Sequence, residues 1–99
     1  MDSKILKYFK KNHIQIEDIK YLTRVDGKTC IHTIDNQTFL TYITIKDFFE
    51  SLELHDFICV NKGIVVAKSQ INYIADGIYH MLDGAEFQGR KRTAAAHKK

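Results

Sequence analysis

The chain has no proline, only two cysteines, five isolated glycines and three arginines against twelve lysines. These shortages exclude several classes of protein. The glycines are scattered singly, so no glycine-rich phosphate loop exists. No apolar run approaches the ~18 residues of a membrane span, and the N-terminus lacks the apolar block of a signal peptide. Cys30 and Cys59 lie in apolar, strand-like contexts without metal-ligand spacing. They read as small core side chains in a reducing, cytoplasmic compartment, with a Cys30–Cys59 disulfide as the minor alternative. Cys30 and His32 would share one strand face, but no second such pair recurs to complete a metal site. Ser3, Ser51, Ser69, His13, His32, His55 and His80 are dispersed without a nucleophile motif. Neither an enzyme nor a cofactor is expected.

What is present is one small domain with an uneven charge distribution. The net charge is +3. Residues 1–22 are basic, 23–56 acidic and 57–83 balanced, and 84–99 hold five bases against Glu86 alone. Two of the three arginines stand at Arg90 and Arg92. A guanidinium fork suits phosphates and base edges, so a nucleic-acid role competes here with a merely solvated basic tail.

Short β-rich segments dominate the pattern. Ile19–Val25 and Lys28–Ile34 flank Asp26-Gly27, a hairpin signal because both residues tolerate positive φ. Along the first of these, Ile19, Tyr21 and Thr23 are assigned one face and Lys20, Leu22 and Arg24 the other. After the Asp35-Asn36 turn, Gln37–Ile43 completes a three-stranded meander. From Thr44 the period changes: Ile45, Phe48, Phe49 and Leu52 make one helical face, with Thr44 as N-cap and Asp47 three residues on. His55 is a candidate C-terminal cap.

Phe57–Val60 and Ile64–Ala67 are apolar strands cut by Asn61-Lys62-Gly63, a polar corner held between two segments that need burial. Ile71–Ala75 and Ile78–Leu82 flank Asp76-Gly77, and Asp83-Gly84 then turns the chain into 85–88. At the N-terminus a hairpin through Lys11-Asn12 is preferred, with a helix over 3–11 as its competitor. The fold expected is mainly β, an elongated set of antiparallel hairpins and small sheets with one short α-helix near 45–54. The segment from Arg90 is read either as a short Ala-rich helix or as a frayed end.

These residues resemble the LytTR-type DNA-binding domain of bacterial transcription regulators. Ile16-Glu17-Asp18-Ile19-Lys20-Tyr21-Leu22 is similar to the family's acidic-Asp-Ile-x-aromatic first strand. Thr44-Ile45-Lys46-Asp47-Phe48 with Leu52 is similar to the start of its helix. Phe57 to Ala67 followed by Ile71 resembles Phe-x-Arg-Val-His-Arg-Ser-Tyr-x-Val-Asn followed by Ile. Asp83-Gly84 before Gln88-Gly89-Arg90 resembles the closing hairpin and Ser-Arg pair. Cys59, Asn61, Gly63, Ala67 and Gly89 depart from the usual Arg, His, Ser, Asn and Ser.

The resemblance covers about residues 14–92 and implies one DNA-binding domain over 1–92 with a basic tail at 93–99. It implies that loops enter successive major grooves of double-stranded DNA, at repeated promoter half-sites and with a homodimer on the DNA. The contact residues it implies are Lys28 or Thr29 from the first hairpin, Asn61 and Lys62 from the corner, and Arg90 with Lys91 and Arg92 from the exit. The initiating Met and short lead-in favour a stand-alone regulator over an excised C-terminal domain. The competing reading is a protein-interaction module of the same fold, offering the acidic face of Glu50, Glu53 and Asp56.

Overall fold

A computed structural model of the protein describes residues 2–89. Arg90, Lys91, Arg92, the C-terminal helix considered above and the 93–99 tail lie outside the described residues. The elements are α1 (Ser3–Asn12), β1 (Ile19–Val25), β2 (Lys28–Thr33), β3 (Thr38–Thr41), α2 (Ile45–Leu52), β4 (Phe57–Asn61), β5 (Ile64–Ala67), β6 (Ile71–Ala75), β7 (Ile78–Met81) and β8 (Glu86–Gln88). Short 3₁₀ turns precede β1 and β6 and follow α2. The fold is mainly antiparallel β, and each strand after residue 18 falls where the alternation and turn residues put it.

The N-terminus departs from the preferred hairpin. Ser3–Asn12 is a helix, so the described residues hold two α-helices rather than the one expected near 45–54. The Asp2 carboxylate accepts from the Lys4 amide at 2.7 Å and caps it. Ile5 and Phe9, one turn apart, are buried, whereas Leu6 is 41% exposed. That is a helical period and not an alternating one. His13 ends the helix in the left-handed region at φ 57, its amide turned back to the Lys10 and Phe9 carbonyls.

β1 to β5 form one antiparallel sheet in the order β3-β2-β1-β5-β4, and β6-β7-β8 form a second. The five-stranded sheet is a shared wall between two cores. On one face α1 and α2 bury Ile5, Phe9, Phe48 and Leu52 against Leu22, Ile31 and Val65. On the other, Tyr21, Ile58, Val60 and Val66 pack against Ile71, Tyr79 and Met81 of the small sheet. The layers are therefore helices, large sheet and small sheet.

Two irregularities decide which way polar groups point. In the β1–β2 ladder Ile19 faces Thr33 while Tyr21 faces His32, leaving Lys20 as an extra residue. In the β4–β5 ladder Cys59 faces Val65 while Asn61 faces Ile64, leaving Val60 over. A bulge puts two consecutive side chains on the same side of a strand. Ile19 and Leu22 thus share the helix-side core, and Lys20 and Tyr21 both turn to the small sheet. This corrects the strict alternation assigned to β1.

The turns use the residues expected of them. Asp26 and Gly27 have φ of 50 and 76, and Asp76 and Gly77 have 52 and 76. Two successive positive φ values match the right-handed twist of a two-residue hairpin. α2 opens at Thr44, whose hydroxyl accepts from the Asp47 amide at 3.1 Å. Thr44→Ala is expected to cost about 1 kcal/mol, read as a lower urea midpoint with an unchanged slope. His55 closes the 3₁₀ turn after α2, and the left-handed cap at φ 63 is its neighbour Asp56. No disulfide joins the two cysteines: Cys30 is buried, and the Cys59 thiol donates to the Asn61 carbonyl at 3.0 Å.

Candidate nucleic-acid interface

The two sheets share one end at which several loops meet. β1 reaches it through Thr23, which faces Ile64 at the start of β5. The Arg24 amide then donates to the Gly63 carbonyl at 2.9 Å, so the first hairpin is fastened to the 61–63 corner. The corner is fastened in turn to the small sheet. Asn61 Nδ2 donates to the Gln88 carbonyl at 2.7 Å, and the Gly89 amide donates to the Gly77 carbonyl at 2.8 Å. Hairpin 26–27, corner 61–63, hairpin 76–77 and the chain exit at Gly89 therefore lie together.

Within this end the side chains divide into holders and presenters. The Asn61 carboxamide is used at both ends, since Oδ1 also accepts from the Gly63 amide at 2.9 Å. Only the Val60 bulge aims it at β8, because unbroken alternation would have sent it to the helix side with Cys59. Thr29 is 2% exposed and its hydroxyl donates to the Ile43 carbonyl at 2.6 Å, so it faces the helix-side core. Burial removes Thr29 from any surface that a ligand could touch. Lys62 is exposed at the tip of the corner. Lys28 is half-buried, its ammonium 5.2 Å from the ring centroid of Tyr42, which is 81% exposed. The structure thus joins Lys28, Asn61 and Lys62 at one end, and Arg90 to Arg92 lie outside the described residues.

Arg24 is the residue that reading the strand pattern alone passes over. It is exposed, and a Cβ at Gly63 would lie 3.4 Å from its own Cβ. Its guanidinium is therefore rooted between the hairpin and the corner. The scarcity of arginine in the chain was the available signal.

The opposite end has the other polarity. There Lys20 Nζ donates to Asp83 Oδ2 at 2.7 Å and the Tyr21 hydroxyl to the same oxygen at 2.8 Å. Burial works against ionisation of Asp83. The hydrogen bonds from Lys20, the Ala85 amide and Tyr21, with the Lys20 charge, outweigh it and hold the carboxyl down at about 2. Burial first, then the Asp83 bond and charge, push Tyr21 up to about 12. Burial and the Lys20 charge lower His32, against a smaller opposite pull from Asp83. Its Nε2 lies 3.0 Å from Thr23 Oγ1, and its ring packs on Tyr21. Glu17 and Asp56 line a shallow groove at this end. Arg24, Lys28 and Lys62 thus stand far from most of the acids, although Asp26 and Asp76 occupy the near hairpin turns. Such a separation orients a polyanion toward one end.

Comparison with known proteins gives a consistent result. No curated protein matches the chain significantly. A solved LytTr DNA-binding domain from Bacillus cereus superposes with a TM-score of 0.70 at 19% identity, over 82% of this chain and 78% of that one. The family model described as the LytTr DNA-binding domain matches residues 10–95, which takes in the end of α1, all of α2, both sheets and the loop-bearing end. The chain belongs to the LytTr DNA-binding domain family.

Proposed function

We propose that the protein is a sequence-specific double-stranded DNA-binding domain of a bacterial, cytoplasmic transcription regulator, its loops entering successive major grooves at repeated promoter half-sites as a homodimer. The domain comprises residues 1–92 and the 93–99 tail adds basic charge. The observation that carries this reading is the pair of fastenings at one end. Arg24 to Gly63 and Asn61 to Gln88 bring the hairpin, the corner and the exit toward Arg90 together on rigid sheets. Lys62 and Arg90 read base edges, Arg24 and Lys28 flank them, and Lys91 and Arg92 contact phosphates. Asn61 and Thr29 hold the loops in place.

A selection from random DNA, followed by titration of the recovered site, tests this. Lys62→Ala and Arg90→Ala should each cost the selected site about 1–3 kcal/mol, roughly tenfold to hundredfold in Kd, and relax base preference. Equal losses on selected and random DNA would sink the base-reading roles. The second reading, a protein-interaction module, has its own observation in Leu54, 91% exposed between Glu53 and Asp56. Failure to shift DNA at low salt, with retained affinity for a protein partner, would establish that reading instead.

A further inference from the structure

α1 carries Lys4, Lys7, Lys10 and Lys11, all exposed. Spacing of three and four residues places Lys4, Lys7 and Lys11 along one stripe, while Lys10 lines a separate groove with His13 and Glu17. The stripe borders a shallow depression floored by Tyr8 and Ile43. Both floor residues are fixed to the large sheet. The Tyr8 hydroxyl donates to the Leu40 carbonyl at 3.0 Å, and the Ile43 carbonyl accepts from Thr29 at 2.6 Å. Thr29 follows Lys28 directly, and Lys28 covers the exposed Tyr42 beside Ile43. The lysine stripe therefore continues the surface of the first hairpin around the β3 edge of the sheet. One of its members, Lys4, is 3.5 Å from Asp47; Lys7 and Lys11 have no acid beside them in the groove.

We propose that this face of α1 is a second, sequence-independent contact with DNA, in which Lys7 and Lys11, helped by Lys4, grip the phosphate backbone beside the site read by the loops. The proposal rests on the DNA-binding reading above and extends it from the loops to the helix layer. From Lys4 to Lys11 the helix rises about 10 Å, which measured along the duplex axis spans about three phosphates of one strand at roughly 3.4 Å of rise each. Lysine suits such a contact, since a compact ammonium on a flexible stem meets a phosphate without needing a fixed approach. An apolar floor beneath the stems lets them lie along the surface while their charged ends project.

Counterion release gives the test. Binding to a short random-sequence duplex is titrated across a salt series for the wild-type chain, for Lys7→Gln/Lys11→Gln, and for Lys10→Gln/Lys68→Gln. The two double variants lose the same charge. Lys68 belongs to the 3₁₀ turn before β6, and its amide bonds the Asp56 carbonyl at the acidic end. Neutralising Lys7 and Lys11 should lower the slope of log K against log salt by about 1.8, with unchanged discrimination between selected and random DNA. Neutralising Lys10 and Lys68 should leave the slope near wild type. Equal falls in the two variants would reduce the effect to net charge and overturn the contact. An unmoved slope in both would overturn it while leaving loop binding intact. So would loss of base preference in the first variant, or retained slope with lost binding to polyglutamate, which would mark a surface for acidic protein. A wild-type chain that binds no duplex at low salt would overturn both this contact and the reading on which it rests.

Discussion

Asp83→Ala is expected to destabilise the domain by about 2 kcal/mol at neutral pH. Two terms set the size. The Lys20 side chain is only 10% exposed, and removing its partner leaves a nearly buried ammonium, a situation that costs about 3–5 kcal/mol where burial is complete. The Asp83 side chain is 26% exposed, so solvent and salt screen part of the interaction. The pH dependence distinguishes this mechanism from simple loss of packing. Asp83 is held near 2 in the folded chain against an ordinary 3.8. A depressed carboxyl stabilises the fold above its unfolded value and loses that contribution as pH falls through the folded one. Urea titrations should therefore show the full gap between wild type and variant above 3.8, closing as the pH approaches 2. A gap that stays constant over that window would assign Asp83 a purely steric role.

Gly89→Ala is the second large effect, and it links stability to binding. A Cβ at Gly89 would lie 2.6 Å from Tyr79 Cε1 and 3.2 Å from the Gly77 carbonyl oxygen. Tyr79 is fully buried between the sheets, so its ring has no room to retreat. That oxygen already accepts from the Gly89 amide at 2.8 Å, which pins the backbone as well. Overpacking of this kind costs about 1–3 kcal/mol, and any relief moves the point from which the chain leaves for Arg90. The variant should unfold at lower urea and bind selected DNA more weakly than its folded fraction explains. Adding Tyr79→Leu makes the space. The double variant should then be less destabilised than the two single costs combined, and strict additivity would show that the ring is not the obstacle. The usual Ser of the family would meet the same ring here.

How far these features could be read beforehand depended on whether their cause was local. β2 to β7 were legible because each is a short run rich in apolar or β-branched residues flanked on at least one side by Asp-Gly, Asp-Asn or Asn-Lys-Gly, and β8 was legible from the Asp83-Gly84 turn ahead of it. α2 was legible from Ile45, Phe48, Phe49 and Leu52 with Thr44 ahead of them. α1 was not, because Ile5, Leu6 and Phe9 among lysines satisfy two periods, and only the cap at Asp2 and the core at Phe48 decide between them. The presenting loops were visible as turns carrying donors. The roles inside them were not. Asn61 finds its partner at Gln88, 27 residues away, and Thr29 finds Ile43 across a strand pair. Arg24 looked like one more residue of β1 until the corner was seen beside it.

The extra residues at Lys20 and Val60 also make the large sheet a counting device. Each strand keeps its inner and outer faces only while the number of residues on either side of the bulge is conserved. Removing Lys20 itself would erase the bulge and restore plain alternation, keeping Ile19 and Leu22 in the helix-side core while deleting the ammonium that pairs with Asp83. Removing Val60 would likewise leave Asn61 facing β8, at the cost of one buried side chain between the sheets. A residue gained or lost elsewhere in the strand, with the bulge kept, would instead exchange the faces of everything on one side of the change. Length changes in this domain should therefore keep the two cores intact only in the hairpin turns and at the two bulged positions, and should be ruinous elsewhere within β1 and β4.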